Sequence, residues 1–69
     1  MESIRTKISI NSASVKELET LPGIGGKTAK KIVSFRKKNG NFHSINDLTK
    51  VSGIGKKKLE KIKKYIFIE

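Results

Sequence analysis

The chain holds no cysteine and no tryptophan, and only one histidine, one proline and one tyrosine among its 69 residues. Without thiols, neither a disulfide nor a thiolate-held metal can reinforce it. His43 alone cannot seed a histidine-rich metal cluster. No apolar run approaches the roughly 20 residues of a transmembrane helix. The opening Met1-Glu2-Ser3-Ile4-Arg5 lacks the apolar stretch of a secretory leader, so the chain as given is expected to be soluble. The length fits one domain near the lower limit of what folds alone, and stability must come from local propensity and a compact apolar core. A deep, two-walled catalytic cleft is hard to build from so little chain.

Acids are scarce too: six Asp and Glu stand against sixteen Lys and Arg, for a formal net charge of +10. That excess suits a polyanion such as nucleic acid, or an anionic surface. A membrane surface fits less well, because the helical segments show no wide exposed apolar face to insert. The cations are also clustered. Lys27, Lys30, Lys31, Arg36, Lys37 and Lys38 fall between 26 and 38 with no acid among them. Lys56, Lys57, Lys58, Lys61, Lys63 and Lys64 fall between 56 and 64 with only Glu60 opposing. Each segment directly follows a Gly-Ile-Gly.

The chain repeats itself. A shift of thirty residues lays Ser14–Phe35 over Ser44–Tyr65, with Ser14/Ser44, Leu18/Leu48, Gly23/Gly53, Ile24/Ile54, Gly25/Gly55, Lys27/Lys57, Lys31/Lys61 and Ile32/Ile62 identical. Two copies are too few for a solenoid and fit a pseudo-two-fold pair whose apolar faces bury each other. In the first copy Ser14-Val15-Lys16-Glu17 reads as a capping box opening a short helix to about Thr20. Ser44 with Asp47 repeats the arrangement more weakly and opens a helix to about Lys50. Pro22 turns the chain after the first of these. Behind each Gly-Ile-Gly comes an amphipathic helix, with Ala29, Ile32 and Val33 as one apolar stripe and Leu59, Ile62 and Ile66 as the other. Asn39-Gly40 stops the first, and Phe42 is expected to plug the core between copies. Ile8, Ile10, Ile66 and Ile68 alternate as extended segments do, and are expected to lie beside each other. The expected fold is all-α, a pseudo-symmetric domain of four to five short helices over 8–69. Its repeats lie at 14–38 and 44–66, after a flexible segment over 1–7.

The loops Leu21-Pro22-Gly23-Ile24-Gly25 and Val51-Ser52-Gly53-Ile54-Gly55 carry the chemistry. A helix start presents amides without intrahelical partners at the positive end of its dipole, and phosphate oxygens bind there readily. Glycine admits a close phosphate and a positive φ. Gly23 and Gly25 are expected to form one seat, with the amides of Gly25, Gly26, Lys27 and Thr28 as donors. Gly53 and Gly55 form the other, with Gly55, Lys56, Lys57 and Lys58. Lys31 and Lys61 add charge behind them, while Ile24 and Ile54 point inward and hold the loops on the core. The blander alternative is that the glycines only make tight turns; two matched copies, each with a cationic helix, favour the seats. Phe35, Phe42, Tyr65 and Phe67 all look core-bound, which leaves Arg5 and Arg36 as the only guanidinium groups for reading guanine. Duplex binding without sequence preference, steeply weakened by salt, is the expectation.

At these loops the sequence resembles the helix-hairpin-helix superfamily, and more narrowly the DNA-binding domain of the ComEA competence family. The resemblance runs from Ile8-Ser9-Ile10-Asn11-Ser12-Ala13 through Glu17-Leu18 to Gly25. It continues with Asn39-Gly40-Asn41-Phe42-His43-Ser44 and Asp47-Leu48 through Gly55. It implies a tandem helix-hairpin-helix fold, sequence-independent binding of double-stranded DNA, and a DNA-receptor role in bacterial transformation outside the cytoplasmic membrane, with the uptake machinery as partner; the two matched seats themselves are expected to hold phosphates on two strands across the minor groove. It also implies a monovalent cation, K+ or Na+, at hairpin carbonyls such as those of Leu21 and Gly23. Neither a small-molecule substrate nor catalysis is expected. Three rival readings fit parts of the sequence. Leu21 to Ala29 also looks like the hairpin of DNA glycosylases, in whose bifunctional members the lysine matching Lys27 attacks the sugar. That chemistry needs a flipped-base pocket and a neighbouring carboxylate, and Asp47 is the only acid the sequence suggests. Gly26-Lys27-Thr28 ends like a phosphate-binding P-loop but has Leu21 where the leading glycine belongs. A protein-interaction module that kept the fold would be expected to have lost its hairpin cations.

Overall fold

A reciprocal pair of hydrogen bonds starts the first helix: the Ser14 hydroxyl accepts the Glu17 amide at 3.2 Å, and Glu17 Oε1 accepts the Ser14 amide at 2.9 Å. In the computed structural model, which describes residues 7–68, this helix, α1, spans Val15–Glu19. Residues 1–6 of the expected flexible segment over 1–7, Arg5 among them, lie outside the described residues. After the first hairpin, α2 runs over Gly26–Asn39 and stops at Gly40, whose φ of +85° suits glycine and whose amide donates to the Arg36 carbonyl at 2.9 Å. A 3₁₀ helix covers Ile45–Lys50, α3 covers Lys56–Ile62, and a 3₁₀ turn covers Lys63–Tyr65. Three α-helices and two 3₁₀ helices among the described residues match the all-α expectation.

Two local expectations fail. The second capping box does not form, since Ser44 makes no side-chain cap bond and Asp47 Oδ2 accepts the His43 amide at 3.1 Å instead. Aspartate is one methylene shorter than glutamate, and the segment winds as 3₁₀. The apolar stripe Leu59, Ile62, Ile66 is also not one helix face, because α3 ends at Ile62 and Ile66 lies in a strand. That strand, β2 (Ile66–Phe67), pairs in parallel with β1 (Ile8–Ser9), setting Ile8 opposite Ile66 and Ser9 opposite Phe67. The two ends of the domain thus lie side by side, as the alternation predicted.

The core is drawn evenly from both repeats. Leu18 and Leu48, Leu21 and Val51, Ile24 and Ile54, Ala29 and Leu59, and Ile32 and Ile62 are all buried. Each large aliphatic side chain removed from water contributes about 1.5–3 kcal/mol. Phe42 is buried between the repeats and stacks on Phe35, with ring centroids 4.9 Å apart and planes within 11°. The segment before α1 is strapped on by polar bonds. Asn11 accepts the Phe42 amide at 2.7 Å and donates to the Phe42 carbonyl at 3.0 Å. Arg36 Nη1 donates to the carbonyls of Ile10 at 2.8 Å and Ala13 at 2.7 Å.

Candidate nucleic-acid interface

Each hairpin is closed by one backbone bond. The Ile24 amide donates to the Leu21 carbonyl, and the Ile54 amide to the Val51 carbonyl, both at 3.1 Å. Gly23 and Gly53 take positive φ values of +78° and +98° at the third position of these four-residue turns. Pro22 precedes the first, the proline–glycine order of a type II turn. Ile24 and Ile54 point into the core with 4% and 3% exposure, as expected, so they offer a ligand only their backbone.

The helices behind the hairpins begin differently from α1. Gly25 and Gly55 are their N-caps, neither has a side-chain cap bond, and neither first turn holds an acid. The first helical bond in α2 runs from Ala29 N–H to the Gly25 carbonyl at 2.9 Å, and in α3 from Leu59 N–H to the Gly55 carbonyl at 3.0 Å. The amides of Gly26, Lys27 and Thr28, and of Lys56, Lys57 and Lys58, therefore lie ahead of the intrahelical ladder. In α1 the chain's own Ser14 and Glu17 fill the equivalent places. Among the three α-helices of the described residues, the two behind the hairpins start open, and exposed lysines accompany them: Lys27 and Lys31 in α2, and Lys56, Lys57 and Lys61 in α3.

The two glycines of each hairpin divide the work. Gly23 and Gly53 supply the turn, whereas Gly25 and Gly55 have φ of −91° and −101°, extended backbone that any residue adopts. A Cβ at either Gly25 or Gly55 would meet nothing within 4 Å. Their lack of a side chain keeps the helix start open and is not needed for the fold. The hairpins also lie against each other's repeats. A Cβ on Gly23 would stand 3.7 Å from Lys58 Cε, and one on Gly53 would stand 3.7 Å from Thr28 Oγ1. Lys58 and Thr28 are half-buried by this crossing, a contact no local pattern signals.

Three expectations about side chains change. Arg36 is committed to the Ile10 and Ala13 carbonyls and is not free to read a base. Phe67 is 37% exposed instead of core-bound; it lies at the rim of an open groove lined by Lys7, Ile45, Lys63 and Ile68. The acid beside the first hairpin is Glu19, whose Oε2 would lie 3.2 Å from a Cβ on Gly26. Asp47, the acid the sequence suggested, is engaged elsewhere. The His43 amide is the main cause holding its carboxyl below the usual range; burial opposes it, and the Lys50 ammonium at 3.7 Å adds to it. Among the described residues no group of three or more His, Cys, Asp or Glu is placed to hold a metal ion. No helix there is long and apolar enough to cross a membrane.

The sequence matches the family described as "Helix-hairpin-helix motif" over residues 3–67. It is 45% identical over 62 residues to ComE operon protein 1 of Bacillus subtilis, covering 90% of this chain and 30% of that protein. An uncharacterized protein of Haemophilus influenzae is 46% identical over 59 residues, covering 84% of this chain and 53% of that protein. The human endonuclease/exonuclease/phosphatase family domain-containing protein 1 is 44% identical over 57 residues, which are 83% of this chain and 10% of that protein. The chain therefore spans from a tenth to about half of these relatives.

Proposed function

The chain belongs to the helix-hairpin-helix family, and on that premise we propose that it binds double-stranded DNA without sequence preference, each hairpin holding a backbone phosphate across the minor groove. The observation that carries this reading is the contrast between helix starts. Of the three α-helices, α1 is capped by Ser14 and Glu17, while the two behind Gly-Ile-Gly have glycine N-caps, open amides and adjacent lysines. Phosphate contacts of this kind position a protein without conveying sequence, and the commitment of Arg36 to the fold removes a guanine reader. The reading extends to the rest of the proposed site: Gly23, Gly25, Gly26, Lys27, Thr28 and Lys31 with Gly53, Gly55, Lys56, Lys57, Lys58 and Lys61.

The chain acts as a binding module and not as a catalyst. Lys27 is an electrostatic contact matched by Lys57. The similarity to ComE operon protein 1 favours a role in handling DNA during competence, on the outer side of the membrane and beside the uptake machinery. A monovalent cation belongs to the same proposal. The Leu21 carbonyl already accepts one amide and keeps a second lone pair, and carbonyl oxygens suit a hard ion such as K+ or Na+. Such an ion would bridge the hairpin to a phosphate.

Fluorescence anisotropy with duplex and single-stranded oligonucleotides of several unrelated sequences tests the reading. Duplexes of different sequence should bind with the same affinity within about twofold, and more tightly than single strands. A duplex preference confined to one sequence would overturn it. Borohydride trapping on abasic-site DNA should give no adduct through Lys27.

A further inference from the structure

Lys58 stands in the first turn of α3, yet its side chain runs toward the other repeat. A Cβ on Gly23 would meet Lys58 Cε at 3.7 Å, Cγ at 3.8 Å and Cδ at 4.0 Å. Three carbons of one stem thus pack around the place a Gly23 side chain would take. Lys58 is accordingly half-buried, whereas its neighbours Lys56 and Lys57 are exposed. A lysine stem laid on a surface keeps its ammonium at the wet end. Nζ is one bond beyond Cε, the stem atom nearest that Cβ position, so the ammonium lies in the neighbourhood of Gly23, the turn residue of the first hairpin. Thirty residues earlier stands Thr28, and its hydroxyl approaches Gly53 of the second hairpin in the same way. The crossing is reciprocal.

We propose that the two phosphate seats are composite: the Lys58 ammonium completes the seat at Leu21–Gly25, and the Thr28 hydroxyl completes the seat at Val51–Gly55. This rests on the reading of the hairpins as phosphate seats and goes beyond it by giving each a side chain from the opposite repeat. The local charges explain why the exchange is unequal. The first hairpin has the Glu19 carboxylate at its edge beside Gly26, which repels an incoming phosphate. The lysine delivered from the second repeat offsets that repulsion. At the matching places the second hairpin has Thr49 for Glu19 and Lys56 for Gly26, so a neutral hydroxyl is enough there. Neither repeat alone contains a complete seat, and the distance between the two bound phosphates is fixed by the packing of one hairpin on the other.

The test is a double-mutant cycle on duplex DNA, with folding followed by circular dichroism. Lys58→Met keeps the stem and removes the charge. Gly25→Val and Gly55→Val obstruct one seat each on extended backbone with open space around the new side chain. Lys58→Met alone should weaken binding several-fold and lower the salt slope by about 0.9, and Lys58→Arg should restore most of the affinity. The Lys58→Met loss should disappear when Gly25→Val is already present and persist in full beside Gly55→Val. The opposite pattern, equal losses in both backgrounds, or no loss in the parent chain would overturn the composite seat. If neither glycine variant weakens binding, the hairpin reading fails, and this inference with it.

Discussion

At the residue scale the glycines carry the clearest consequences. Gly55 caps α3 in an extended conformation with no neighbour near its missing Cβ, and no acid stands in the helix's first turn. An aspartate there would accept one of the open amides and complement the helix dipole, stabilising the fold by about 1 kcal/mol. The same carboxylate would occupy the place proposed for a phosphate. Gly55→Asp should therefore raise the melting temperature while lowering duplex affinity by tenfold or more, as calorimetry and anisotropy would show together. If affinity holds, the seat is elsewhere. Gly53→Ala should behave differently, losing about 1–2 kcal/mol because its φ of +98° is strained for any residue with a Cβ. Arg36 supplies a second test. Arg36→Met removes the donor to two carbonyls and should cost about 1–3 kcal/mol in urea denaturation. DNA affinity of the folded protein should stay unchanged, and a large loss would mean that the guanidinium reaches DNA after all.

At the element scale, much of the fold was legible because the chain states its boundaries locally. Ser14 and Glu17 signal a helix start through side-chain chemistry alone, and Asn39-Gly40 signals a stop. The second copy keeps the letters but not the geometry, since Asp47 bonds to His43 and Ser44 caps nothing. Which amide a short carboxylate reaches depends on 3₁₀ or α winding, and the pattern Ser44-x-x-Asp47 does not encode that choice. Ile66 was ambiguous for a related reason. It satisfies a helical spacing from Ile62 and a strand spacing to Ile68, and the partner that decides the matter is Ile8, far away in the chain. The Asp47 bond has a measurable signature. Its carboxyl is held below the ordinary value chiefly by the His43 amide, so the stabilisation is complete above about pH 4 and is lost as pH falls through the lowered folded value. Asp47→Asn should be less stable than the parent at pH 7, and the gap between their urea midpoints should narrow in acid. A gap independent of pH would mean that the carboxylate's charge plays no part.

At the scale of the whole molecule, the question is how many of the sixteen cations act on DNA. Their clustering behind the hairpins was visible in the sequence, and so was the thirty-residue repeat that makes the hairpins a pair. The mutual crossing of Lys58 and Thr28 was not visible, because it depends on how one repeat is rotated onto the other. Some cations have other employment: Lys63 lies 3.2 Å from Glu60, Lys50 lies 3.7 Å from Asp47, and Arg36 is bound to carbonyls. Lys37 and Lys38 sit ten and eleven residues along α2 from Lys27, about 15 Å at the rise of a helix. That exceeds the Debye length of about 8 Å at physiological salt, so they should barely feel a phosphate at the hairpin. Among the others, six lysines belong to the proposed hairpin site: Lys27, Lys31, Lys56, Lys57, Lys58 and Lys61. At about 0.9 counterions released per contact, they set a logarithmic salt slope near −5 and a loss of about 10³ in affinity between 50 and 200 mM. Replacing Lys27 and Lys57 with Gln should shallow that slope by about 2, while replacing Lys37 and Lys38 should leave it unchanged. Equal effects from the two pairs would mean that DNA responds to a diffuse cationic coat, and the hairpins would then be turns that happen to lie within it.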